Sequence, residues 1–254
     1  MFNSFKLQTQ KSPKQKLMFL LMIARRWLTD SLGAHQLDSP THYCRGYGLE
    51  IGASNGPYPF AKSKMDYADF FSQERSAYLG RDGFISLQPP KCLLDDVESA
   101  QYDFVYASHV LEHTPNPLKS IEEWTRVLRP NGVLHFIVPN KEKTYDIGRA
   151  VTPLANFVER YDHDAWDFTL DEIRQMVSYT TDYSPYEVNH ADLDNFCINI
   201  QKHPDGSHHY FVFDPISTIG FSGLLETLFN LKLVSCQLIR HEIHVVMKNE
   251  VLAF

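Results

Sequence analysis

Short apolar runs alternate with amphipathic stretches through the middle of the chain. Four of these runs have the length of a strand: 47–51, 64–69, 102–107 and 133–138. The first is followed by glycine, the second ends in an acidic residue, and the fourth is followed by proline. Between the last two, apolar residues recur at helical spacing. Strands that alternate with helices predict an α/β fold in which a parallel, doubly wound sheet is covered by helices on both faces.

The helix between the last two runs has clear boundary signals. Asn116 can cap its first turn, and Pro117 suits the first helical position. Its predicted inner stripe consists of Leu118, Ile121, Trp124 and Leu128. The stretch 129–132 (Arg-Pro-Asn-Gly) is predicted to end it.

The pattern changes after residue 140. Strand signals are weak over 141–208, where Thr169 and Glu172 predict a capping box at the start of one helix. Asp214-Pro215 predicts another helix, which carries Ile216, Ile219, Leu224 and Leu228. Two closing runs, 231–238 and 243–247, predict a hairpin at the end of an otherwise parallel sheet. We therefore expect an N-terminal extension over 1–40 and one domain over 41–254, with 141–208 as a substrate-side insertion.

The N-terminal segment allows three interpretations. Its apolar run, 17–24, is far shorter than the ~20 residues that a bilayer crossing needs. Helical spacing of Leu17, Leu20, Leu21 and Ala24 favours an amphipathic helix packed on the main domain. There are two alternatives. Residues 14–32 form a helix that lies on a membrane surface, or the segment is a targeting sequence without a small-residue cleavage site.

Composition narrows the functional classes. The 254 residues carry 24 Lys+Arg against 31 Asp+Glu, a net charge of −7, which argues against broad binding of nucleic acid. Four cysteines lie far apart in the sequence without a CxxC pair, which favours a reducing, cytoplasmic compartment. The cluster His203, His208 and His209 matches no standard zinc spacing, so no metal site is expected.

The first strand ends in a turn of small residues that is suited to a ligand. Gly52, Ala53, Ser54, Asn55 and Gly56 follow it, and ligands of open α/β sheets bind outside the carboxyl ends of strands. Asp69 ends the next strand, and its carboxylate can accept both hydroxyl protons of a ribose. Asp66 is the alternative if the register differs. Together these residues predict a site for a nucleoside cofactor.

The spacing favours one cofactor class over another. In the dinucleotide fingerprint G-x-G-x-x-G, the middle glycine makes room for a pyrophosphate, whereas Ser54 stands at that position here. Glu50 also places negative charge where a pyrophosphate would be repelled. A positively charged sulfonium nucleoside fits better, and a nicotinamide oxidoreductase is the weaker alternative.

Four stretches resemble the class I S-adenosylmethionine-dependent methyltransferases of the small-molecule type: 49–57, 102–105, 108–113 (Ser-His-Val-Leu-Glu-His) and 127–134. The resemblance covers residues 46–140, and 108–113 is its most specific part. It implies the Rossmann-like methyltransferase fold, with a mostly parallel seven-stranded sheet, and S-adenosyl-L-methionine as the cofactor.

The resemblance also implies roles for individual residues. The expected cofactor-binding residues are Glu50, Gly52, Ala53, Ser54, Gly56, Asp69, Leu94, Asp95, Ser108 and His109. The expected catalytic residues are His109 and His113. A stretch matched by Pro139, Lys141, Tyr145 and Asp146 resembles methyltransferases of polysaccharide biosynthesis, which points to a small-molecule or glycan acceptor.

The chemistry leaves several roles open. A hydroxyl acceptor gains from a general base, and histidine is a common one. Further candidates near predicted loops are His163, His190, His208, His209, Asp162, Asp164, Asp192 and Asp194. Aromatic residues of the insertion either shape an acceptor pocket or form a small core, and Arg149, Arg160 and Arg174 either bind an acceptor anion or are solvated. An inactive binding protein with this fold is the alternative to an enzyme, because fold does not fix function.

Overall fold

The computed structural model describes residues 40–53, 57–60, 63–69, 84–87, 93–180, 193–202 and 208–250. The N-terminal extension, Ser54 and Gly56 lie outside the described residues, as do His190, Asp192 and His203. The proposed division of the chain into an extension, a domain and an insertion stays a prediction.

The described part of the chain contains a sheet of seven strands: β1 Tyr47–Ile51, β2 Lys64–Asp69, β3 Phe84–Ser86, β4 Tyr102–Ser108, β5 Leu128–Pro139, β6 Leu231–Ile239 and β7 Glu242–Asn249. Their order across the sheet is β3-β2-β1-β4-β5-β7-β6. Strands β1 to β5 are parallel, whereas β7 is antiparallel to both β5 and β6. The α/β fold and the closing hairpin are thereby confirmed. The three-residue β3 was not among the runs recognised in the sequence.

Within the described ranges, five α-helices pack on or beside the sheet: α1 Pro117–Arg126, α2 Leu154–Asp162, α3 Leu170–Thr180, α4 Leu193–Lys202 and α5 Pro215–Leu228. Short 3-10 turns occur at Pro40–Tyr43, Leu111–His113 and Lys141–Lys143. Helices α2 to α4 belong to the predicted insertion. No helix in the described ranges is both long enough and apolar enough to cross a bilayer.

Both faces of the sheet are buried. One face carries the main core, in which Trp124 of α1, Phe157 of α2 and Phe221 of α5 are almost fully buried. The other face carries a smaller cluster around Phe104 and Tyr106, against which Tyr58 and Phe60 pack. Apolar residues on both faces of a strand are typical of a parallel sheet.

Helix α1 begins as predicted but ends earlier. Asn116 caps it by accepting a hydrogen bond from the backbone N–H of Lys119 at 3.2 Å. The helix ends at Arg126, so Leu128 is not part of its stripe and instead opens β5. The stretch 129–131 forms an exposed irregularity within β5, where Asn131 has φ +64°, and Gly132 after it is buried.

Helix α5 presents a different face to the core than its apolar residues indicate. Ile216, Ile219 and Leu228 are 81%, 54% and 41% exposed. The buried face carries Phe221 and Leu225. Ring packing of Phe221 against phenylalanines of α2 and of the segment before α5 fixes this orientation.

Candidate functional site

Three strand ends meet at one edge of the sheet. Ile51 pairs with Ala68 of β2 and with Ala107 of β4, so Gly52, Asp69 and Ser108 come at the same level of three adjacent strands. The strand order reverses at β1, because β2 and β3 lie on one side of it and β4 and β5 lie on the other. Ligands of open α/β sheets bind at such a switch point.

Gly52 occupies a position that no other residue fits without strain. Its φ is +72°, in the left-handed region. A Cβ atom built here would lie 2.4 Å from Cγ2 of Val110, in the loop after β4. Its N–H donates to the carbonyl of Ala68 at 2.8 Å. The turn after β1 therefore lies close against the loop after β4.

Glu50 is buried and binds the chain that follows the turn. Both of its carboxylate oxygens accept a hydrogen bond from the backbone N–H of Tyr58, at 2.9 and 3.0 Å. The carboxylate thus holds the far end of the 52–57 turn. It also keeps a negative charge next to the strand end.

The structure separates the two aspartates of β2. Asp66 lies in the middle of the strand and accepts hydrogen bonds from the hydroxyls of Tyr47 and Tyr102, the latter at 2.9 Å. Asp69 lies at the end of the strand, 5% exposed, beside the turn after β1. Asp66, the alternative residue for the ribose contact, therefore already accepts two hydrogen bonds from side chains of the protein.

The remaining predicted cofactor residues differ in exposure. Ala53 and Leu94 are buried at 5% and 1%, Asp95 is exposed, and Ser108 is half-buried. The carbonyl of Leu94 accepts a hydrogen bond from Arg126 at 2.9 Å, which ties this loop to helix α1. Of the predicted pair, Asp95 is therefore exposed to solvent, whereas the side chain of Leu94 is part of the core.

His109 joins two carboxylates. Its Nδ1 lies 3.2 Å from Glu112 and its Nε2 lies 3.1 Å from Glu242 at the start of β7. Burial disfavours the charged ring, but these two carboxylates outweigh burial and raise the pKa of His109 to about 10. A protonated ring has no lone pair, so the predicted role of His109 as a proton acceptor does not agree with this arrangement.

His113 has a different environment. Its Nδ1 lies 2.8 Å from the carbonyl of His208, which fixes the proton on Nδ1 and leaves a lone pair on Nε2. Burial is the largest cause that lowers the pKa of His113 below its usual value. Of the two predicted catalytic histidines, His113 is the one with a basic nitrogen near neutral pH.

Glu112, between these histidines, is fully buried. Burial raises the pKa of this carboxyl, but contact with His109 and the charges of nearby histidines bring it below its usual value. Its backbone carbonyl accepts the N–H of Tyr210 at 2.8 Å. The segment that starts at His208 is thus held against the 3-10 turn Leu111–His113.

Residues 145–149 hold His209 beside this turn. Asp146 accepts from Nδ1 of His209 at 2.6 Å and from Arg149 at 2.7 Å. The ring of Tyr145 lies 4.5 Å from that of His209, centroid to centroid, and its hydroxyl accepts the N–H of His209 at 3.2 Å. The Tyr145–Asp146 match noted in the sequence thus positions a histidine.

The predicted anion-binding arginines are already paired. Arg149 also donates to the carbonyls of His209 and Tyr210. Arg160 donates to the carbonyls of Pro115 and Asp167 and pairs with Glu172. Arg174 is more exposed and pairs with Asp171 and Asp194. Arg149 and Arg160 are buried and paired rather than solvated, and both line the cavity described next, so their binding of an acceptor anion stays a prediction.

The insertion contains both a core and a cavity. Phe157, Trp166 and Phe168 are buried, so the aromatic residues described there form part of the core. A cavity of about 410 Å³ lies between α2, α3 and the segment 210–211. Tyr210 lines it and also donates its N–H to Glu112, so the cavity lies next to the 3-10 turn.

Sequence reasoning missed Glu242 and named Asp146 only within the family resemblance, without a role. Glu242 is 133 positions from the histidine that it contacts, and Asp146 is 63 positions from His209. Glu112 was noted only within the family resemblance, without a role. Apart from the Tyr-Asp match at 145–146, no local spacing signals these contacts.

Part of the chain matches a known family model. Residues 77–136 match the family model described as a methyltransferase domain. No curated protein matches the chain.

Solved structures with a similar fold include three methyltransferases. One is a SAM-dependent methyltransferase from Aquifex aeolicus, at 14% identity and TM-score 0.46, covering 84% of this chain and 95% of that one. A putative S-adenosyl-L-methionine-dependent methyltransferase from Methanococcus maripaludis has 12% identity and TM-score 0.48, with 97% and 99% covered. The CurJ carbon methyltransferase has 14% identity and TM-score 0.46, covering 90% of this chain but 55% of that chain, so this chain spans about half its length.

Proposed function

We propose that this protein, a class I S-adenosylmethionine-dependent methyltransferase, transfers a methyl group to an oxygen atom of a small-molecule or glycan acceptor. The observation that carries the site assignment is the convergence of Gly52, Asp69 and Ser108 at the switch point of the sheet. No nucleic acid acceptor is proposed, because the net charge is −7.

The residues at this edge fit a cationic nucleoside. Two buried carboxylates, Glu50 and Asp69, flank a turn in which Gly52 leaves no room for a side chain. When bound, S-adenosylmethionine supplies a methyl group on a positively charged sulfur, and the leaving thioether is neutral. A negatively charged edge favours such a cation and disfavours a pyrophosphate.

Each described residue has a proposed task at this edge. Asp69 accepts the ribose hydroxyls, and Asp95 with Leu94 borders the base. Gly52 and Ala53 border the methionine portion, a role also proposed for Ser54 and Gly56, which lie outside the described residues. Glu50 accepts the backbone N–H of Tyr58 beyond them. Ser108 and His109 border the methionine side.

The acceptor side is proposed to lie toward the insertion. The cavity there has the size of small-molecule sites, which run about 300–1,000 Å³. His113, with a lone pair on Nε2, lies next to Tyr210, which lines the cavity. Orientation and exclusion of water are expected to supply much of the acceleration, with His113 as the group able to accept a hydroxyl proton.

Calorimetry with S-adenosylhomocysteine tests the cofactor site. The wild-type protein is expected to bind it, and Asp69→Ala is expected to lose detectable binding because the ribose hydroxyls lose their acceptor. Asp171→Ala is the matched control, since Asp171 is an exposed surface aspartate on α3 whose side chain is 85% exposed.

Three outcomes would count against the proposal. A folded wild-type protein that gives no heat with S-adenosylhomocysteine lacks the cofactor site. Binding of NADH instead would favour the nicotinamide alternative. Binding of S-adenosylhomocysteine without methyl transfer to any of a panel of hydroxylated sugars and small phenols would favour an inactive binding protein.

A further inference from the structure

A buried carboxylate and two histidines converge beside the proposed methyl-transfer edge. One ligand atom from each of Glu112, His113 and His209 lies within 4.8 Å of the other two. The Glu112 side chain is 0% exposed, and neither of its oxygens has a hydrogen-bond donor in acceptable geometry. A fully buried carboxylate is costly unless cations compensate it, and the His109 ring beside Glu112, 3.2 Å from Oε1, is shared with Glu242.

In both histidines, Nδ1 faces an oxygen that accepts a hydrogen bond. Nδ1 of His113 lies 2.8 Å from the carbonyl of His208, and Nδ1 of His209 lies 2.6 Å from Asp146. Both acceptors lack a proton, so each Nδ1 carries the hydrogen. In each neutral ring the lone pair is therefore on Nε2, which is the form that binds a metal ion.

Residues behind His209 fix its orientation. Asp146 is 1% exposed and also accepts from Arg149 at 2.7 Å and from the hydroxyl of Thr144 at 3.2 Å. A histidine that donates its second ring N–H to a held carboxylate is the usual supporting arrangement of metal ligands. Arg149 balances the charge of Asp146, whereas Glu112 shares the ring of His109 with Glu242.

We propose that Glu112, His113 and His209 bind a divalent first-row transition-metal ion. Two imidazoles and one carboxylate are a common set for such ions, and three protein ligands leave positions open for water or another oxygen ligand. Atoms bound to one ion at about 2.1 Å lie about 3.4 Å apart in tetrahedral geometry. Nε2 of His113 and Oε1 of Glu112 are already 3.9 Å apart, close to this separation.

His109 also contacts the Glu112 carboxylate but occupies only one of its lone-pair positions. It lies 3.2 Å from Oε1 of Glu112 and also pairs with Glu242. A carboxylate has about four lone-pair positions, so Glu112 can accept His109 and bind an ion together. The ion would occupy the lone pair of His113, so the proton-accepting role proposed above for His113 applies only to the metal-free protein.

Titration with Zn²⁺ alone tests this inference without cofactor or acceptor, so its result is independent of the proposed methyl transfer. The full-length protein is stripped with EDTA, exchanged into metal-free buffer and titrated by calorimetry. We expect one tight equivalent per chain. Co²⁺ in place of Zn²⁺ is expected to give visible absorption bands that saturate at the same equivalence.

Variants locate the binding. His209→Ala and Glu112→Gln are each expected to weaken Zn²⁺ binding roughly 100-fold. His42→Ala is the matched control, because His42 is an exposed histidine outside the cluster, and its affinity is expected to equal that of the wild type. Thermal unfolding verifies that each variant is folded, and His209→Ala decides if the buried Glu112→Gln variant fails to fold.

The proposal is overturned by either of two results. The first is a folded, metal-free wild-type protein that takes up no Zn²⁺ equivalent. The second is a His209→Ala variant that binds Zn²⁺ as tightly as the wild type does, which would place the ion elsewhere.

Discussion

Single residues at the strand ends carry much of the site, and their roles depend on backbone geometry as much as on side-chain chemistry. Gly52 is a clear example, because its positive φ and the 2.4 Å approach of Val110 both exclude a side chain. His109 is a second one. Its φ of +54° and its two carboxylate partners place its ring across the site as a charged bridge.

Substitution of Gly52 tests the glycine requirement. Gly52→Ala is expected to lower the free energy of unfolding by about 1–2 kcal/mol from the left-handed backbone, with a further loss from the Val110 contact. It is also expected to weaken S-adenosylhomocysteine binding. Urea unfolding and calorimetry measure the two effects.

Gly223 in α5 provides the matched control for that substitution. A Cβ built there meets nothing within 4 Å, and the position is helical. Gly223→Ala is therefore expected to raise the free energy of unfolding by about 0.5–1 kcal/mol. Equal effects of the two alanines would show that the turn after β1 does not require glycine.

At the scale of elements, local signals set where helices begin, whereas packing sets which way they face. The helix starts at Asn116-Pro117, Thr169 and Asp214-Pro215 all agree with the sequence, because a cap depends on neighbours within three residues. The exposed Ile216 and Ile219 show that hydrophobicity did not determine the buried side of α5. Ring packing against Phe157 and Phe213 determined it.

The cap of α5 gives a prediction at this scale. Asp214 accepts the N–H of Ser217 at 2.7 Å, and Ser217 accepts the N–H of Asp214 at 2.9 Å. Asp214→Ala is expected to lower the free energy of unfolding by about 1 kcal/mol, whereas Asp214→Ser keeps a capping oxygen and most of the stability. Denaturant midpoints compare them, and an alanine variant as stable as the serine variant contradicts the capping role.

At the scale of the whole molecule, a buried histidine makes stability depend on pH. His135 of β5 is 0% exposed, next to Cys44 and His244, and burial lowers its pKa to about 3. Between pH 3 and 6.5 the unfolded chain binds a proton at this residue that the folded chain does not. Stability from this group is therefore complete above pH 6.5 and is lost as the pH falls.

We expect His135 to contribute a loss of about 1.4 kcal/mol per pH unit once the pH is below about 6. Free energies of unfolding of the wild type, His135→Phe and the control His241→Gln, measured between pH 7.5 and 5, test this. The slope is expected to fall in His135→Phe and to persist in His241→Gln, since His241 is exposed. An unchanged slope in His135→Phe would assign the pH dependence to other groups.

The sequence by itself determined the alternation of strands and helices, the helix caps, the turn after β1 and the aspartate that ends β2. These features depend on periodicity and on contacts between close neighbours, which a single chain displays directly. Only the tertiary structure decided that Asp66 is used by two tyrosines, that Glu242 reaches His109, and that Asp146 holds His209 beside Glu112. Those contacts join residues up to 133 positions apart, and only the packing of the sheet, its hairpin and the insertion brings them together.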